Sequence, residues 1–212
     1  MGKLENGWSE MFMHLGLEDS MKSNPGNPRV LSLLSTVLER YVEANERLLE
    51  TNHMKDVISI FHGSRPPSLG IQQYIDRIFK YACCSPSCFI VAHVYVERFM
   101  ERNNVCLTSL SIHRLLITSI MVAAKFVDDA FFNNAYYARV GGVTTAELNK
   151  LEMEFLFGLD FRLHVSMETF QKYCSVVENE GLPIDRLIQA CRVKETWPNK
   201  EDSAACPPTI AR

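Results

Sequence analysis

No run of basic residues stands anywhere in the 212-residue chain, and its 22 Lys and Arg are outweighed by 25 Asp and Glu to a net charge of -3. Neutralising phosphates needs concentrated Lys and Arg, so no nucleic-acid partner is expected. No apolar stretch reaches the roughly 20 residues that span a bilayer. The most apolar candidate has ten residues between Arg114 and Lys125, so no membrane partner is expected either. The first residues lack the basic segment and apolar core that direct secretion. An acylation signal opening on Met1-Gly2 wants Ser or Thr where Asn6 stands. Seven cysteines, an odd number at irregular spacing, read as free thiols of a reducing compartment, which places the protein in nucleus, cytoplasm or both. No glycine loop that cradles phosphate, no Gly-x-Ser-x-Gly elbow and no paired-carboxylate motif is present. The sequence offers no enzyme, and no cofactor or small-molecule ligand is expected. Cys83, Cys84, Cys88 and His93 sit close together, but structural zinc takes a second, separate ligand pair and only one cluster exists. No metal is expected, and His93, within an apolar helix, reads as a core histidine. No fixed-period repeat is visible, which excludes a solenoid.

What the chain does have is Leu110 to Val127, LSIHRLLITSIMVAAKFV, apolar on too many sides for a surface helix. That pattern asks for burial all round and predicts the central helix of an all-α domain. Ser119, Ala123 and Ala124 are small enough to let neighbouring backbones approach.

The rest of the chain arranges itself around that helix. Residues 1–28 show no sustained period and end in Pro25 and Pro28, which reads as a mobile arm. Val30, Leu34, Val37, Tyr41 and Leu48 form one stripe of a helix, with Glu39, Arg40, Glu43, Glu46 and Arg47 as its solvated face. This helix and a linker ending in the paired prolines of SRPPS occupy 29–67. A helix is predicted from Ser68 to Ala82. Ser85 is placed as N-cap and Pro86 as first residue of the next, which runs to about Arg102. Thr108 or Ser109 can cap the buried helix. A short segment from Asn133 to Val140 closes on Gly141-Gly142, and Thr144 with Glu147 has the spacing of a capping box for a fifth helix to about Leu159. Five helices with short links make a compact domain over 68–163. Residues 164–193 carry one more amphipathic stripe, Met167 to Val177, and a short helix from Ile184 to Cys191; 194–212 read as a loose tail.

Two charges stand in odd places. On a helical wheel Glu152 falls near the middle of the sector formed by Leu148, Leu151, Phe155, Leu156 and Leu159. A desolvated carboxylate needs a partner, either a cation or backbone donors, inside the domain or across an interface. On the buried helix, Lys125 shares a side with Arg114, Thr118 and Met121, away from the sector of Ile112, Leu116, Ser119 and Ala123. That side can face a partner.

These residues resemble a family. Ala92-His93-Val94-Tyr95-Val96-Glu97-Arg98-Phe99 is similar to the cyclin-box helix with its Ala-x-x-Tyr, aliphatic, acid, Arg, Phe pattern. Ala123-Ala124-Lys125-Phe126-Val127-Asp128-Asp129 resembles the cyclin Ala-x-Lys segment and the acids after it. Leu148 to Leu163 is similar to the cyclin helix ending in Leu-x-Phe-x-Leu, here Leu159-Asp160-Phe161-Arg162-Leu163. The run FVDDAFFNNAYYARVGGV and the single box most resemble plant P-type cyclins, also called U-type, related to fungal phosphate-regulation cyclins. The resemblance implies a single cyclin box of five helices with flanking N- and C-terminal helices. It also implies a non-catalytic subunit that binds and activates a cyclin-dependent kinase, of PSTAIRE type, in cell-cycle or phosphate signalling. Lys125 and Glu152 match the cyclin Lys and Glu that contact the kinase αC helix and the segment before it. With their neighbours Thr118, Met121 and Phe155 they form the expected kinase-binding set. A cyclin-fold scaffold that leaves the kinase inactive is the alternative.

The chain also departs from the family. Where mitotic cyclins carry a Met-Arg-x-Ile-Leu docking patch, Ile71-Gln72-Gln73-Tyr74-Ile75 stands here, so Glu97 lacks the patch arginine and substrate docking there is not expected. Too few residues follow Val177 for a second cyclin fold, and the arm shows no destruction-box pattern.

Overall fold

The all-round apolarity of the Leu110–Val127 stretch is answered by enclosure of its middle. In the computed structural model, which describes residues 2–17, 26–52 and 58–179, every side chain from Leu115 to Ala124 is buried. Eight helices and no strand are present among the described residues: α1 Gly2–Leu15, α2 Arg29–Asn52, α3 Ile71–Ala82, α4 Pro86–Asn103, α5 Ile112–Val127, α6 Asn134–Gly141, α7 Thr145–Gly158 and α8 Met167–Glu178. The fold is all-α, as expected. The most extensive packing is between α4 and α5, and α3, α6 and α7 close around α5. α2 and α8 cover α4 from outside, and α1 lies against α8 and α2.

The helix ends show which local signals were used. Thr144 caps α7 by accepting the Glu147 N–H at 3.1 Å. Only half of the expected capping box forms, because the Glu147 carboxylate takes Arg114 of α5 at 2.7 Å instead of turning back. Ser85 holds the N-cap position of α4 with Pro86 in the first turn, yet its hydroxyl does not cap. Its Oγ and backbone N–H both donate to the Asp128 carboxylate, at 2.7 and 2.9 Å, which ties the start of α4 to the end of α5. Ser111, not Thr108 or Ser109, precedes α5; its Oγ accepts the Thr108 N–H at 3.0 Å. α6 begins on Asn133, whose side chain accepts the Tyr136 N–H, and ends on Gly142 at φ 72°, a left-handed turn that glycine makes without strain.

Two expectations are corrected. Residues 2–15 are not an arm but a helix, whose Met11 and Leu15 are buried. Phe12 packs edge-on against Phe170 of α8 at 5.9 Å, and His14 pairs with Glu178 at 2.9 Å. Nor is Glu46 simply solvated: its carboxylate accepts the Ser109 N–H at 2.8 Å, while Asn45 donates to Leu107 O, so α2 organises the entry to α5. The expected 184–191 helix and the 194–212 tail lie outside the described residues.

The linker before α3 also enters the core. Phe61, at 0% exposure, meets Phe99 of α4 and Phe155 of α7 with ring centroids 5.1 and 6.1 Å away, and Phe99 stacks on Phe155 at 5.1 Å. Gly158 at the end of α7 sits on the edge of this cluster. A methyl group there would come within 2.3 Å of Phe99 Cε2. Since Phe99 is pinned by two other rings, Gly158→Ala is expected to lose about 1 to 3 kcal/mol in equilibrium denaturant unfolding. An unchanged midpoint would contradict this packing.

Candidate functional site

Glu152 finds its partners inside the chain. Lys125 Nζ, reaching over from the last turn of α5, donates to Glu152 Oε1 at 2.6 Å. Asn134, the first residue of α6, completes the cluster: its Oδ1 accepts from the same Nζ at 2.5 Å, and its Nδ2 donates to Glu152 Oε2 at 2.6 Å. Nδ2 also donates to Asn149 Oδ1 at 2.8 Å. The Lys125 and Glu152 side chains keep 26% and 17% of their surface exposed, so the pair lies at the rim rather than in the core. An acid on the edge of an apolar stripe is thus satisfied by one cation and one amide and remains within reach of a partner.

Of the other residues expected to bind a kinase, three are corrected. Thr118 and Met121 are fully buried, and Thr118 Oγ1 donates to Arg114 O at 2.7 Å. On their side of α5 only the two charged ends, Arg114 and Lys125, remain partly exposed. Phe155 is likewise at 0% exposure within the Phe61–Phe99 cluster. None of the three offers surface to a partner.

The exposed apolar side chains are different ones. Phe126 (54%) and Val127 (44%) follow Lys125, and Met153 (52%) follows Glu152. Phe157 (63%) lies one turn beyond Met153 on α7 and meets Phe161 (56%) edge-on at 5.4 Å. Asp160 and Phe161 both adopt positive φ, 54° and 56°, a costly backbone for residues other than glycine. That turn is held by Arg102, which donates to Gly158 O at 3.1 Å and pairs with Asp160 at 3.7 Å. Large exposed apolar side chains on α5 and α7, the two helices that carry the ion pair, point to an interaction surface. The wheel missed them because it ranks a side chain by its own helix and does not show where the neighbouring helices stop.

Glu97 lacks the patch arginine but does not lack partners. Tyr41 of α2 and Tyr173 of α8 donate to its two oxygens at 2.6 and 2.5 Å, so one carboxylate joins α2, α4 and α8. Burial first, and the Glu97 charge second, hold the Tyr173 phenol well above its usual range. His93, one turn earlier, packs edge-on to both tyrosines and has Nε2 3.5 Å from Glu97 Oε1. It is a core histidine. Burial lowers its pKa, with Glu97 opposing, and His113 is shifted the same way by burial. Each therefore refuses in the folded state a proton that the unfolded chain accepts near pH 6.5. Their contribution is complete above that pH and is lost as pH falls through it. Unfolding free energy is expected to decline below about pH 6.5, and less steeply in His93→Phe; an equal slope in the variant would contradict this.

Cys84 is buried, and that burial pushes its thiol up to about 12; Cys88 is shifted the same way, so neither supplies a thiolate. Among the described residues no group of three or more His, Cys, Asp or Glu is placed to hold a metal, and no helix is long and apolar enough to cross a membrane. A surface groove of about 420 Å³ beside α3, lined by Leu69, Gln73, Arg77 and Tyr81 among others, shares no residue with the Lys125–Glu152 cluster.

The helical box is that of a cyclin: the cyclin family model matches residues 28–163, and the chain belongs to that family. The match starts at α2, so the helix before the paired prolines lies within the family's matched region. Its relatives are plant P- and U-type cyclins. It is 56% identical to Cyclin-P3-1 of Oryza sativa subsp. japonica over 184 residues, covering 85% of this chain and 78% of that one. With Cyclin-U3-1 of Arabidopsis thaliana it shares 47% over 209 residues, covering 96% and 95%. Cyclin-U4-1 of Arabidopsis thaliana is 51% identical over 159 residues, covering 73% and 79%. Membership assigns the chain a cyclin's regulatory role.

Proposed function

We propose that this chain binds a cyclin-dependent kinase of PSTAIRE type and raises its activity, in cell-cycle or phosphate signalling in the nucleus or cytoplasm. The observation that carries the reading is the partly exposed Lys125–Glu152 pair, with Phe126, Met153 and Phe157 exposed on the same two helices. A monomer gains nothing from displaying large apolar groups, whereas a partner helix would cover them and stabilise the complex. The pair matches the family's kinase-contacting Lys and Glu. A kinase of this type is inactive until its αC helix turns inward, so that the αC Glu meets the Lys that positions ATP. A surface that fits only the inward helix shifts the population toward the active state by its differential affinity.

The test is association of the purified chain with a PSTAIRE-type kinase, compared with Phe157→Asp. The wild type is expected to bind and the variant to bind about tenfold more weakly, because a carboxylate would be desolvated at the contact. Thermal stability should be unchanged, Phe157 being 63% exposed. Equal binding by the two would remove α7 from the contact.

A further inference from the structure

Asn134 carries no charge, yet all its amide groups are engaged. The Lys125–Glu152 pair alone would be loose: two long side chains at a partly exposed rim gain little from pairing and lose rotamer freedom by it. Asn134 projects from the first turn of a helix on a side chain with two torsions, and the bonds it makes fix its amide one way round. The oxygen faces the Lys125 ammonium at 2.5 Å, and the nitrogen faces Glu152 Oε2 at 2.6 Å and Asn149 Oδ1 at 2.8 Å. The reverse orientation would set N–H against ammonium and carbonyl against carboxylate. Asn149 lies three residues before Glu152 on α7, so the amide also sets α6 against α7. Of the three ammonium hydrogens of Lys125 two are taken, by Glu152 and Asn134.

We propose that Asn134 is the positioning residue of the Lys125–Glu152 docking pair, resting on the kinase-docking reading above. It clamps the carboxylate by the oxygen that Lys125 does not hold, and it shares the ammonium, so the pair stays in one geometry before a partner arrives. Preorganisation of this kind improves affinity by reducing the ordering cost of binding. Asp cannot replace it, since a carboxylate has no hydrogen to offer Glu152. The charged side chains bonded to Asn134 are Lys125 from α5 and Glu152 from α7.

The experiment measures affinity of the full chain for a PSTAIRE-type kinase in the wild type, Asn134→Ala, Asn134→Asp, Glu152→Gln, and the combined Asn134→Ala, Glu152→Gln variant, with a thermal melt of each. Asn134→Ala is expected to bind about tenfold more weakly, with its thermal midpoint close to wild type. That loss should largely vanish in the Glu152→Gln background, because Asn134 acts through Glu152. Asn134→Asp should bind more weakly still at pH 8 and recover toward pH ~5.5, where two adjacent acids come to share a proton. Wild-type affinity in Asn134→Ala, or a loss of equal size in both backgrounds that follows the thermal midpoint, overturns the proposal and leaves kinase docking standing. A wild type that does not bind the kinase overturns the docking reading itself.

Discussion

Alanine at both Lys125 and Glu152 is expected to weaken association with a PSTAIRE-type kinase about thirtyfold or more, while the free chain folds as before. The asymmetry follows from where the pair sits. In the free chain its side chains are 26% and 17% exposed, and a pair still reached by water adds little to stability. A docked kinase removes that water. Losing a partner of a buried, hydrogen-bonded charge at an interface typically costs about 2 to 5 kcal/mol, which is the thirtyfold or more predicted here. The single variants should each approach the double, because removing Lys125 strands the Glu152 carboxylate under the kinase and removing Glu152 strands the ammonium. The losses will therefore not add. Titration calorimetry of the four proteins measures both points; an undiminished affinity in the double variant would put the contact elsewhere on the chain.

Phe155→Ala is expected to have the largest effect on stability, a loss of about 3 to 5 kcal/mol. The ring is at 0% exposure, stacked on Phe99 at 5.1 Å and edge-on to Phe61 at 6.1 Å. Its removal opens a cavity where α4, α7 and the linker before α3 meet, and it also takes away two ring contacts beyond the lost burial. Against a usual total of about 5 to 15 kcal/mol that is a large share, equivalent to about 10 °C in the thermal midpoint. Phe155→Leu should lose less by keeping most of the volume. Since the residue resembles part of the kinase-binding set, affinity per folded molecule is the deciding readout: it should be unaltered in Phe155→Leu. A variant of normal stability with impaired binding would return Phe155 to the kinase-binding set.

How far the sequence could be read depended on how local each signal was. α5 is apolar all round, so the burial of Leu115 to Ala124 was legible without knowledge of any neighbour, whereas the exposure of Phe126 and Val127 at its end was not. The caps of α6 and α7 were also legible, because Asn133 and Thr144 bond within their own first turn. The Glu147 half of the capping box was not, since an arginine on another helix competes for it. α1 was missed for a similar reason: Gly2 and Gly7 weaken its helical pattern, and its apolar side is defined by Phe170 and Ser175 of α8, more than 150 residues away. At the site, the unease of Glu152 on its stripe was visible and Lys125 was a fair partner for it. Asn134 was not visible as the third member, because an Asn at a helix start reads as a cap and its neighbour Asn133 already fills that role. Thr118 and Met121 share a wheel face with Lys125, but that face is buried everywhere except at its charged ends, which a single helix cannot show.

The central claim is that the chain switches a kinase on. The most direct measurement is the phosphorylation rate of a PSTAIRE-type cyclin-dependent kinase with increasing amounts of the purified chain. The rate is predicted to rise and saturate with the wild type, and to need at least about thirtyfold more of the Lys125→Ala, Glu152→Ala variant to reach half of that rise. A kinase that binds the wild type stoichiometrically and stays at its basal rate would contradict the account and mark the chain as a scaffold.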